Sequence, residues 1–303
     1  MKAPIIGDTG LIMDIDHFAV HDGPGIRACV YFKGCPLSCA WCHSPESQSS
    51  GVELLYAANR CQGCKACASL CPVGAHQFAA GSHLFNREKC VACGECSKRC
   101  PSGALSMSAR FVSLDEVVGE LEEDMIFYRN SGGGVTLSGG EVLSQAPFAA
   151  KVLERLKTSG VHTIVETSGY GRLEDLLKIA AHADMFYYDF KLGNEDEFRL
   201  HTGGRADLPL GNLRALRNVT DAITLRVPLV PGITDTLSNV MAAYSLALSL
   251  DLRHVHLLPY NASASAKYEW IGKAFPLGEL TPEPGAWERL KDAAPEGLEV
   301  LIQ

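Results

Sequence analysis

Short apolar runs alternate with longer amphipathic stretches through the second half of the chain. Five short runs are rich in β-branched and aromatic residues, as buried strands are: 134–137, 161–166, 185–190, 222–227 and 254–258. Apolar residues at helical spacing fill four longer stretches: 114–128, 146–159, 173–181 and 236–250. Strands joined by helical crossovers are typical of parallel β/α units. We therefore predict an α/β fold with a parallel sheet.

The N-terminal part of the chain has a different pattern. The apolar run Arg27–Phe32 predicts a strand, and the residues from there to about 50 predict a loop. Cysteines are dense between about 51 and 109, and the alternation of strands and helices begins only after them. We expect residues 1–50 and 110–303 to form one α/β domain. Residues 51–109, here called the cysteine-rich segment, are expected to form an inserted domain.

Composition narrows the class of protein and of partner. Apolar residues make up 47% of the 303 residues and charged residues 20%, as in ordinary globular proteins. The formal net charge of −8 argues against nucleic acid as a partner, because phosphate binding needs an excess of Lys and Arg. No stretch approaches the roughly 20 apolar residues that span a bilayer, and the first residues do not resemble a signal peptide. We expect a cytoplasmic protein without a membrane partner.

The chain has twelve cysteines, which in a reducing compartment indicate metal or redox chemistry rather than disulfides. The pattern C-x2-C-x2-C-x3-C-P occurs twice, 29 residues apart: Cys61, Cys64, Cys67 and Cys71, then Cys90, Cys93, Cys96 and Cys100. In bacterial ferredoxins of this pattern, the fourth cysteine of each run binds the other cluster. The predicted ligand sets are therefore Cys61, Cys64, Cys67 and Cys100, and Cys90, Cys93, Cys96 and Cys71. Two structural zinc sites are the alternative, although zinc does not call for the proline.

A third motif, C-x3-C-x2-C, contains Cys35, Cys39 and Cys42 without a fourth cysteine nearby. Three thiolates leave one iron of a cubane open, and an open coordination position is what a catalytic metal site needs. The alternative is that Cys29 supplies a fourth thiolate to an ordinary cluster or a zinc ion. Cys29 lies within the predicted strand Arg27–Phe32, so we expect it to be a buried structural residue.

The third motif, with Trp41 before its last cysteine, resembles the signature of radical S-adenosylmethionine enzymes. The sequence around it resembles the glycyl radical enzyme activating enzymes in three stretches: His21–Arg27, Phe32–Leu37 and Trp41–Glu46. Further stretches resemble later motifs of that family: Ser138–Glu141, Asp189–Lys191, Arg226–Gly232 and Leu258–Asn261. The resemblance covers almost the whole chain.

This resemblance implies a partial, open β/α barrel with a ferredoxin-like insert. It also implies an activity, in which S-adenosylmethionine is reductively cleaved to methionine and a 5′-deoxyadenosyl radical that takes a hydrogen atom from a glycine of a partner enzyme. The implied cofactors are three 4Fe–4S clusters and S-adenosylmethionine, and a monovalent cation is a further candidate. The implied partners are a glycyl radical enzyme and a flavodoxin or ferredoxin that donates electrons. The two insert clusters would pass electrons or shape the docking surface.

The resemblance also assigns roles to single residues. Several motifs follow directly on predicted strands, where functional residues of β/α barrels gather, so their side chains are expected to converge on one pocket. Trp41 and His43 would lie beside S-adenosylmethionine, and Gly140 would give its amino group access to backbone carbonyls. The segment Asp189, Phe190 and Lys191 would contact the cofactor, with Asp189 and Lys191 as a charged pair. Glu166 and Asp189 are the candidate cation ligands. Arg226 would bind the cofactor carboxylate or form a buried ion pair, and Asn261 would bind adenosine.

Two other functions remain open at this point. The chain resembles radical S-adenosylmethionine enzymes that act on a small molecule or peptide nearly as well in the cysteine motif alone. An electron-transfer ferredoxin fused to an inert barrel would explain the cysteine-rich segment but not the third cysteine motif. The stretches His21–Arg27 and Trp41–Glu46 favour the activating enzyme over both.

Overall fold

The computed structural model describes residues 8–278 and 280–303. Its strands are β1 (Thr9–Ala19), β2 (Arg27–Phe32), β3 (Leu54–Tyr56), β4 (His76–Ala79), β5 (Ser82–Phe85), β6 (Leu105–Met107), β7 (Arg110–Ser113), β8 (Gly134–Gly139), β9 (His162–Thr167), β10 (Met185–Asp189), β11 (Ile223–Leu229), β12 (His254–Pro259) and β13 (Glu299–Ile302). Its α-helices are α1 (Ala66–Leu70), α2 (Glu95–Lys98), α3 (Leu114–Glu122), α4 (Met125–Ser131), α5 (Ala146–Thr158), α6 (Leu173–Ala180), α7 (Glu195–Thr202), α8 (Asp207–Arg217), α9 (Leu237–Ser249), α10 (Ser265–Trp270) and α11 (Ala286–Asp292). Short 3-10 helices cover Pro45–Ser47, Ala58–Arg60, Val142–Gln145 and Ala262–Ala264.

A nine-stranded sheet organises the chain, in the order β13-β12-β11-β10-β9-β8-β2-β1-β7. The strands from β2 through β8 to β13 run parallel to one another. At the other edge, β1 pairs antiparallel with both β2 and β7. The predicted parallel sheet is confirmed, and the two antiparallel strands make it a mixed sheet. The side chains that follow the parallel strands therefore lie together at the end of the sheet where the carboxyl ends of these strands meet.

Most predicted helices match the structure within one residue at each end, but two differences stand out. The stretch 114–128, predicted as one helix, is two helices, α3 and α4. The break is at Asp124, whose backbone leaves the helical conformation at φ −92° and ψ 8° and whose carboxylate bonds His17 of β1 at 2.5 Å. Helices α7 and α8 were not predicted, because α7 is largely charged and α8 contains Pro209 and Gly211. Within the described ranges, none of the helices has both the length and the apolar content needed to cross a membrane.

The main core lies between the sheet and the helices that cover it. Helix α5 contributes Phe148, Val152 and Leu156, all with no exposed surface. Burying each such side chain stabilises the fold by about 1.5–3 kcal/mol. On β2, Ala28, Val30 and Phe32 belong to this core. Because successive strand residues point to opposite faces, Cys29 is buried on the other face of the sheet.

The cysteine-rich segment has its own small sheets and core. Strands β3 and β6 pair antiparallel, and β4 and β5 form a hairpin. A separate cluster of buried residues holds it together, made of Leu54, Cys67, Cys96 and Leu105. The chain then returns to the main sheet through β7. The segment is therefore anchored to the main sheet at both of its ends.

Candidate active site

A cavity of about 240 Å³ lies at the carboxyl ends of the parallel strands. Most of the residues predicted to form the site line this cavity: Cys35, Cys39, Trp41, Cys42, His43, Gly140, Glu166, Asp189 and Lys191. They come from the loop after β2 and from the ends of β8, β9 and β10. The expected convergence of separate motifs on one pocket is thus present in the fold.

The loop after β2, here called the cysteine loop and comprising residues 33–44, carries three cysteines into the cavity. Its backbone is fixed against helix α7, because the N–H groups of Ser38 and Ala40 each donate to a carbonyl of that helix at 2.8 Å. Burial raises the pKa of the Cys35 thiol to about 12 and that of Cys39 to about 11. Free thiols here would stay protonated near neutral pH, whereas a bound metal displaces the proton from a ligating thiol. The buried, convergent set suits metal ligation.

Gly140 packs directly against the cysteine loop. A Cβ atom at this position would lie 2.4 Å from the carbonyl oxygen of Gly34 and 3.3 Å from the Cβ of Cys35. The backbone N–H of Gly140 donates to Phe32 O at 2.8 Å, and Glu141 N donates to Gly34 O at 2.9 Å. Only glycine leaves room for this contact. The turn after β8 therefore sets the position of the first cysteine.

Glu141 connects the ends of β8 and β9 as a structural carboxylate. It is 1% exposed. One carboxylate oxygen accepts hydrogen bonds from Leu143 N and from the Thr167 hydroxyl, and the other accepts from the N–H and hydroxyl of Ser168. Because both oxygens are already used by the protein, Glu141 has a capping role at the start of the short helix Val142–Gln145.

Asp189 and Lys191 form the charged pair that their spacing predicted. Lys191 Nζ lies 3.2 Å from Asp189 Oδ2, and both side chains are largely buried. Burial acts to lower the pKa of Lys191, but Asp189 and the sulfurs of Cys39 and Cys35 outweigh it and raise that pKa. The other oxygen of Asp189, Oδ1, is buried without a partner among the described residues. The pair thus offers the cavity one cation near the cysteines and one free acceptor.

Glu166 faces the same cavity and is engaged by two partners. Its Oε1 forms an ion pair with the guanidinium of Arg226, and its Oε2 accepts a hydrogen bond from Ser138 Oγ at 2.5 Å. Burial raises the pKa of Glu166, although Arg226 opposes that change. Both carboxylate oxygens are therefore already compensated within the protein.

Sequence comparisons assign the chain to a known family. Residues 21–190 match the family described as the 4Fe-4S single cluster domain. The trans-4-hydroxy-L-proline dehydratase activating enzyme of Clostridioides difficile is 41% identical over 273 residues, covering 89% of this chain and 90% of that protein. The pyruvate formate-lyase 2-activating enzyme of Escherichia coli strain K12 is 34% identical, covering 92% of this chain and 86% of that protein. The chain belongs to the glycyl radical enzyme activating enzymes.

Further comparisons agree with this family. The choline trimethylamine-lyase activating enzyme of Oleidesulfovibrio alaskensis is 37% identical over 306 residues, covering 99% of this chain and 96% of that protein. Among solved structures, a radical SAM methyltransferase from Sphaerobacter thermophilus superposes with a TM-score of 0.53 at 12% identity, over 96% of this chain and 76% of that chain. That likeness concerns the fold alone. The family assignment confirms the motif resemblance: this activating enzyme is a radical S-adenosylmethionine enzyme that generates a glycyl radical.

Three residues of the predicted site do not line the cavity of this activating enzyme. Phe190 is 5% exposed and packs into the main core. Arg226 lies behind Glu166, so of its two expected roles the buried ion pair is the one present. Asn261 is exposed, and its side chain accepts a hydrogen bond from Ser263 N at 2.9 Å at the start of a short helix. Their proposed contacts with S-adenosylmethionine stay predictions.

Other residues line the cavity without having been predicted as site residues. Ser138, Ser168 and Pro228 are among them. Each lies at or just after the end of a parallel strand, and that position is the signal that identifies them. Cys29 is not among the lining residues, which leaves the cysteine loop with three thiols.

The eight cysteines of the cysteine-rich segment divide between two further cavities. One is lined by Cys61, Cys64, Cys67 and Cys100, together with Cys96. The other is lined by Cys71, Cys90, Cys93 and Cys96. The fourth cysteine of each run thus lies with the first three of the other run. This is the crossed grouping that the spacing predicted.

Proposed function

We propose that Cys35, Cys39 and Cys42 hold a 4Fe–4S cluster with one open iron and that the adjoining cavity holds S-adenosylmethionine. The single observation that carries this proposal is the meeting of three thiols, one buried and two half-buried, with a glycine turn and a charged pair in one cavity of about 240 Å³. Bound there, the cluster would supply the electron for reductive cleavage of S-adenosylmethionine, the chemistry that removal of a hydrogen atom from a glycine of the partner enzyme requires.

The protein's own side chains would bind and orient the cofactor. Lys191 places a buried positive charge beside the thiolates and offsets part of their negative charge. The unpartnered Oδ1 of Asp189 can accept a hydrogen bond from an amino or hydroxyl group. The turn at Gly140 exposes backbone next to Cys35, where the methionine part of the cofactor would lie. Trp41 and His43 would border the remaining part, and His43 is held by Ser263 at 3.1 Å.

The candidate monovalent cation fits only part of its predicted site. Asp189 keeps a free carboxylate oxygen, but both oxygens of Glu166 are engaged. The guanidinium of Arg226 also repels a second cation at that place. We therefore assign no monovalent cation to this site.

We further propose that residues 51–109 are a ferredoxin-like domain with two 4Fe–4S clusters, inserted into a partial, open β/α barrel formed by residues 1–50 and 110–303. The crossed grouping of the cysteines supports this proposal, as do the segment's own sheets and core. Cys64 and Cys93 are exposed, so an external donor can approach either cluster. A flavodoxin or ferredoxin is the proposed donor, and the cytoplasm the proposed location.

The proposed partner is a glycyl radical enzyme, the class of protein that the names of the similar activating enzymes indicate. The test uses anaerobically reconstituted protein, S-adenosylmethionine, dithionite and the glycyl radical enzyme encoded nearest to this chain. We expect 5′-deoxyadenosine and a glycyl radical signal by electron paramagnetic resonance. The wild-type protein should hold about twelve irons, and a variant with Cys35, Cys39 and Cys42 replaced by Ala about eight.

A matched control uses Cys29→Ala, which removes a buried thiol outside the cavity. This variant should keep its full iron content and its cleavage of S-adenosylmethionine, whereas Cys39→Ala should lose cleavage. Cleavage without any glycyl radical on the partner would point to a small-molecule or peptide substrate instead. Equal activity of the Cys39→Ala variant would overturn the proposed site.

A further inference from the structure

Two histidines lie beside the cysteines of the insert and have no part in the proposed function. His76 on β4 and His83 on β5 belong to one hairpin. His83 Nδ1 lies 3.5 Å from Cys61 Sγ, and His83 Nε2 lies 3.7 Å from Cys67 Sγ. His76 Nδ1 lies 2.9 Å from His83 Nε2. The two imidazole rings therefore form a hydrogen-bonded pair, and His83 of this pair contacts a cysteine of the first predicted ligand set.

Aromatic neighbours pack against both rings of this histidine pair. The ring of Phe78 stacks on His83 at 4.6 Å with an angle of 11° between the planes, and Tyr56 contacts the same ring at 4.6 Å. Phe85 stacks on His76 at 5.0 Å. His76 is only 4% exposed. Since packing fixes both imidazoles, the direction of their N–H groups follows from their partners rather than from solvent.

The chemistry of the sulfur decides that direction. A cysteine that ligates iron is a thiolate and only accepts hydrogen bonds. Both ring nitrogens of His83 face a cysteine sulfur, and Nδ1 is the nearer of the two, so His83 would donate its Nδ1–H to Cys61 Sγ. Nε2 of His83 would then accept the Nδ1–H of His76, which is its closest partner at 2.9 Å. Each imidazole thus orients the next, as partners of metal-ligating residues commonly do.

The second cavity has a different lining. Apolar side chains of Leu54, Val73 and Val91 lie around its cysteines, and none of the described residues lining it is a histidine. Its sulfurs accept backbone hydrogen bonds instead, from Ala75 N to Cys71 Sγ at 3.2 Å and from Ala92 N to Cys90 Sγ at 3.4 Å. Hydrogen bonds to the sulfurs are one of the factors that set the reduction potential of an iron–sulfur cluster. A donor stabilises the reduced, more negative state more than the oxidised state, so it raises that potential.

We propose that His83, oriented by His76, is a positioning residue that donates a hydrogen bond to the Cys61 ligand and raises the reduction potential of the cluster that Cys61 holds. This inference rests on the proposed function, because it takes both insert clusters to be present.

The test compares His83→Phe, His83→Gln and wild-type protein, each as full-length reconstituted protein. The readouts are iron and zinc content and a redox titration followed by electron paramagnetic resonance. His83→Phe keeps a ring but lacks the donor, so we expect one insert potential to fall while the other insert potential stays unchanged. His83→Gln keeps an N–H donor and should lie between His83→Phe and wild type. Leu84→Ala, an exposed change on the same strand, should match wild type.

Several results would overturn the inference. Full iron content with unchanged potentials in His83→Phe would show that no such hydrogen bond acts on the cluster. Equal loss of iron in both His83 variants would show that the imidazole is needed to assemble the cluster site rather than to set its potential. The donor atoms of Cys67, His76 and His83 lie within 4.8 Å of one another and would also suit zinc, so zinc lost in His83→Phe at unchanged iron would replace the inference with a zinc site. A wild-type content of about four irons would instead contradict the insert clusters of the proposed function.

Discussion

Arg226 on β11 and Glu166 on β9 form a buried ion pair that spans the intervening strand β10. The two side chains are 13% and 17% exposed. The guanidinium carbon of Arg226 also lies 5.1 Å from the centre of the Tyr187 ring on β10. Asp189, which lines the cavity, ends β10 and is paired in register with Arg226, so the ion pair joins the strands on either side of it. Each charge is therefore tolerated in the sheet only because the other is present.

We predict that Arg226→Leu lowers the free energy of unfolding by about 3–5 kcal/mol, because it leaves Glu166 buried without its cation. Replacing both residues, as in Arg226→Leu with Glu166→Leu, should recover much of that loss. Urea unfolding of the four proteins under anaerobic conditions, followed by circular dichroism, gives the double-mutant cycle. Simple additivity of the two single changes would show that the pair is not coupled.

A second prediction concerns the glycine turn beside the first cysteine. Gly140→Ala places a methyl group 2.4 Å from the Gly34 carbonyl oxygen, so the cysteine loop must shift. We expect S-adenosylmethionine cleavage to fall at least about 100-fold, since small misplacements of reacting groups have effects of this size. The assay is 5′-deoxyadenosine formation with dithionite.

Gly211→Ala is the matched control for this change. Gly211 lies in helix α8, where an added Cβ has no neighbour within 4 Å. Alanine should stabilise that helix by up to about 1 kcal/mol and leave cleavage unchanged. Full cleavage by Gly140→Ala would mean that the turn does not position the cysteine loop.

The sequence was sufficient to predict features that repeat locally or carry a spacing. The parallel strands, the crossover helices and the grouping of eight cysteines follow from apolar periodicity and from the interval between cysteines. The meeting of the motifs at one cavity follows from their positions after strands. Asp189 and Lys191 pair because alternate residues of an extended segment point the same way.

Other features depend on contacts between distant parts of the chain. Whether Arg226 pairs with Glu166 or faces the cavity is decided by strand order, which local sequence does not encode. At the break within 114–128, Asp124 bonds His17, which lies more than a hundred residues upstream, and no local pattern predicts that contact. The contacts of helix α10 with Glu46, just after the cysteine loop, and with the cysteine-rich segment likewise have no local signal.

The pair formed by His17 and Asp124 yields a prediction about pH. The hydrogen bond from His17 to Asp124 raises the pKa of His17, and this effect exceeds the lowering caused by burial. The folded state therefore binds the proton more tightly than the unfolded state, whose His pKa is about 6.5. Stabilisation by the pair is fully present below that value and is lost as the pH rises through the raised pKa of the folded protein.

We expect the stability difference between wild type and His17→Gln to be largest near pH 6 and to shrink at higher pH. Thermal unfolding under anaerobic conditions from about pH 6 to pH 9 covers the range. His182→Gln removes a histidine that has no carboxylate partner in the described part of the chain, and its curve should run parallel to wild type. A difference for His17→Gln that grows with pH would contradict the assigned direction.

The last prediction concerns the contact between the cysteine-rich segment and helix α10. Arg87 donates one hydrogen bond to Leu54 O at 2.9 Å and another to the carbonyl oxygen of Trp270 at the end of helix α10. The Arg60 guanidinium lies 5.2 Å from the Trp270 ring. The same helix contacts the sequence just after the cysteine loop, where Lys267 pairs with Glu46 at 3.4 Å. Helix α10 thus links the proposed insert clusters to the proposed reactive cluster.

We predict that Arg87→Ala weakens the contact between the cysteine-rich segment and helix α10 without removing any cluster ligand. A hydrogen bond from a charged donor contributes about 1.5–3 kcal/mol to stability. The state in which the cysteine-rich segment has separated from helix α10 should therefore become roughly tenfold more populated or more. Limited proteolysis tracks that population when opening is fast, and cleavage near residues 51–109 should rise by a similar factor. Formation of 5′-deoxyadenosine should persist with dithionite and fall with a flavodoxin donor, because only the protein donor would depend on the insert. Arg99→Ala, an exposed arginine in the same segment, should behave as wild type in both assays. If Arg87→Ala is cleaved faster yet keeps its full rate with flavodoxin, the contact with helix α10 is structural and does not govern electron delivery.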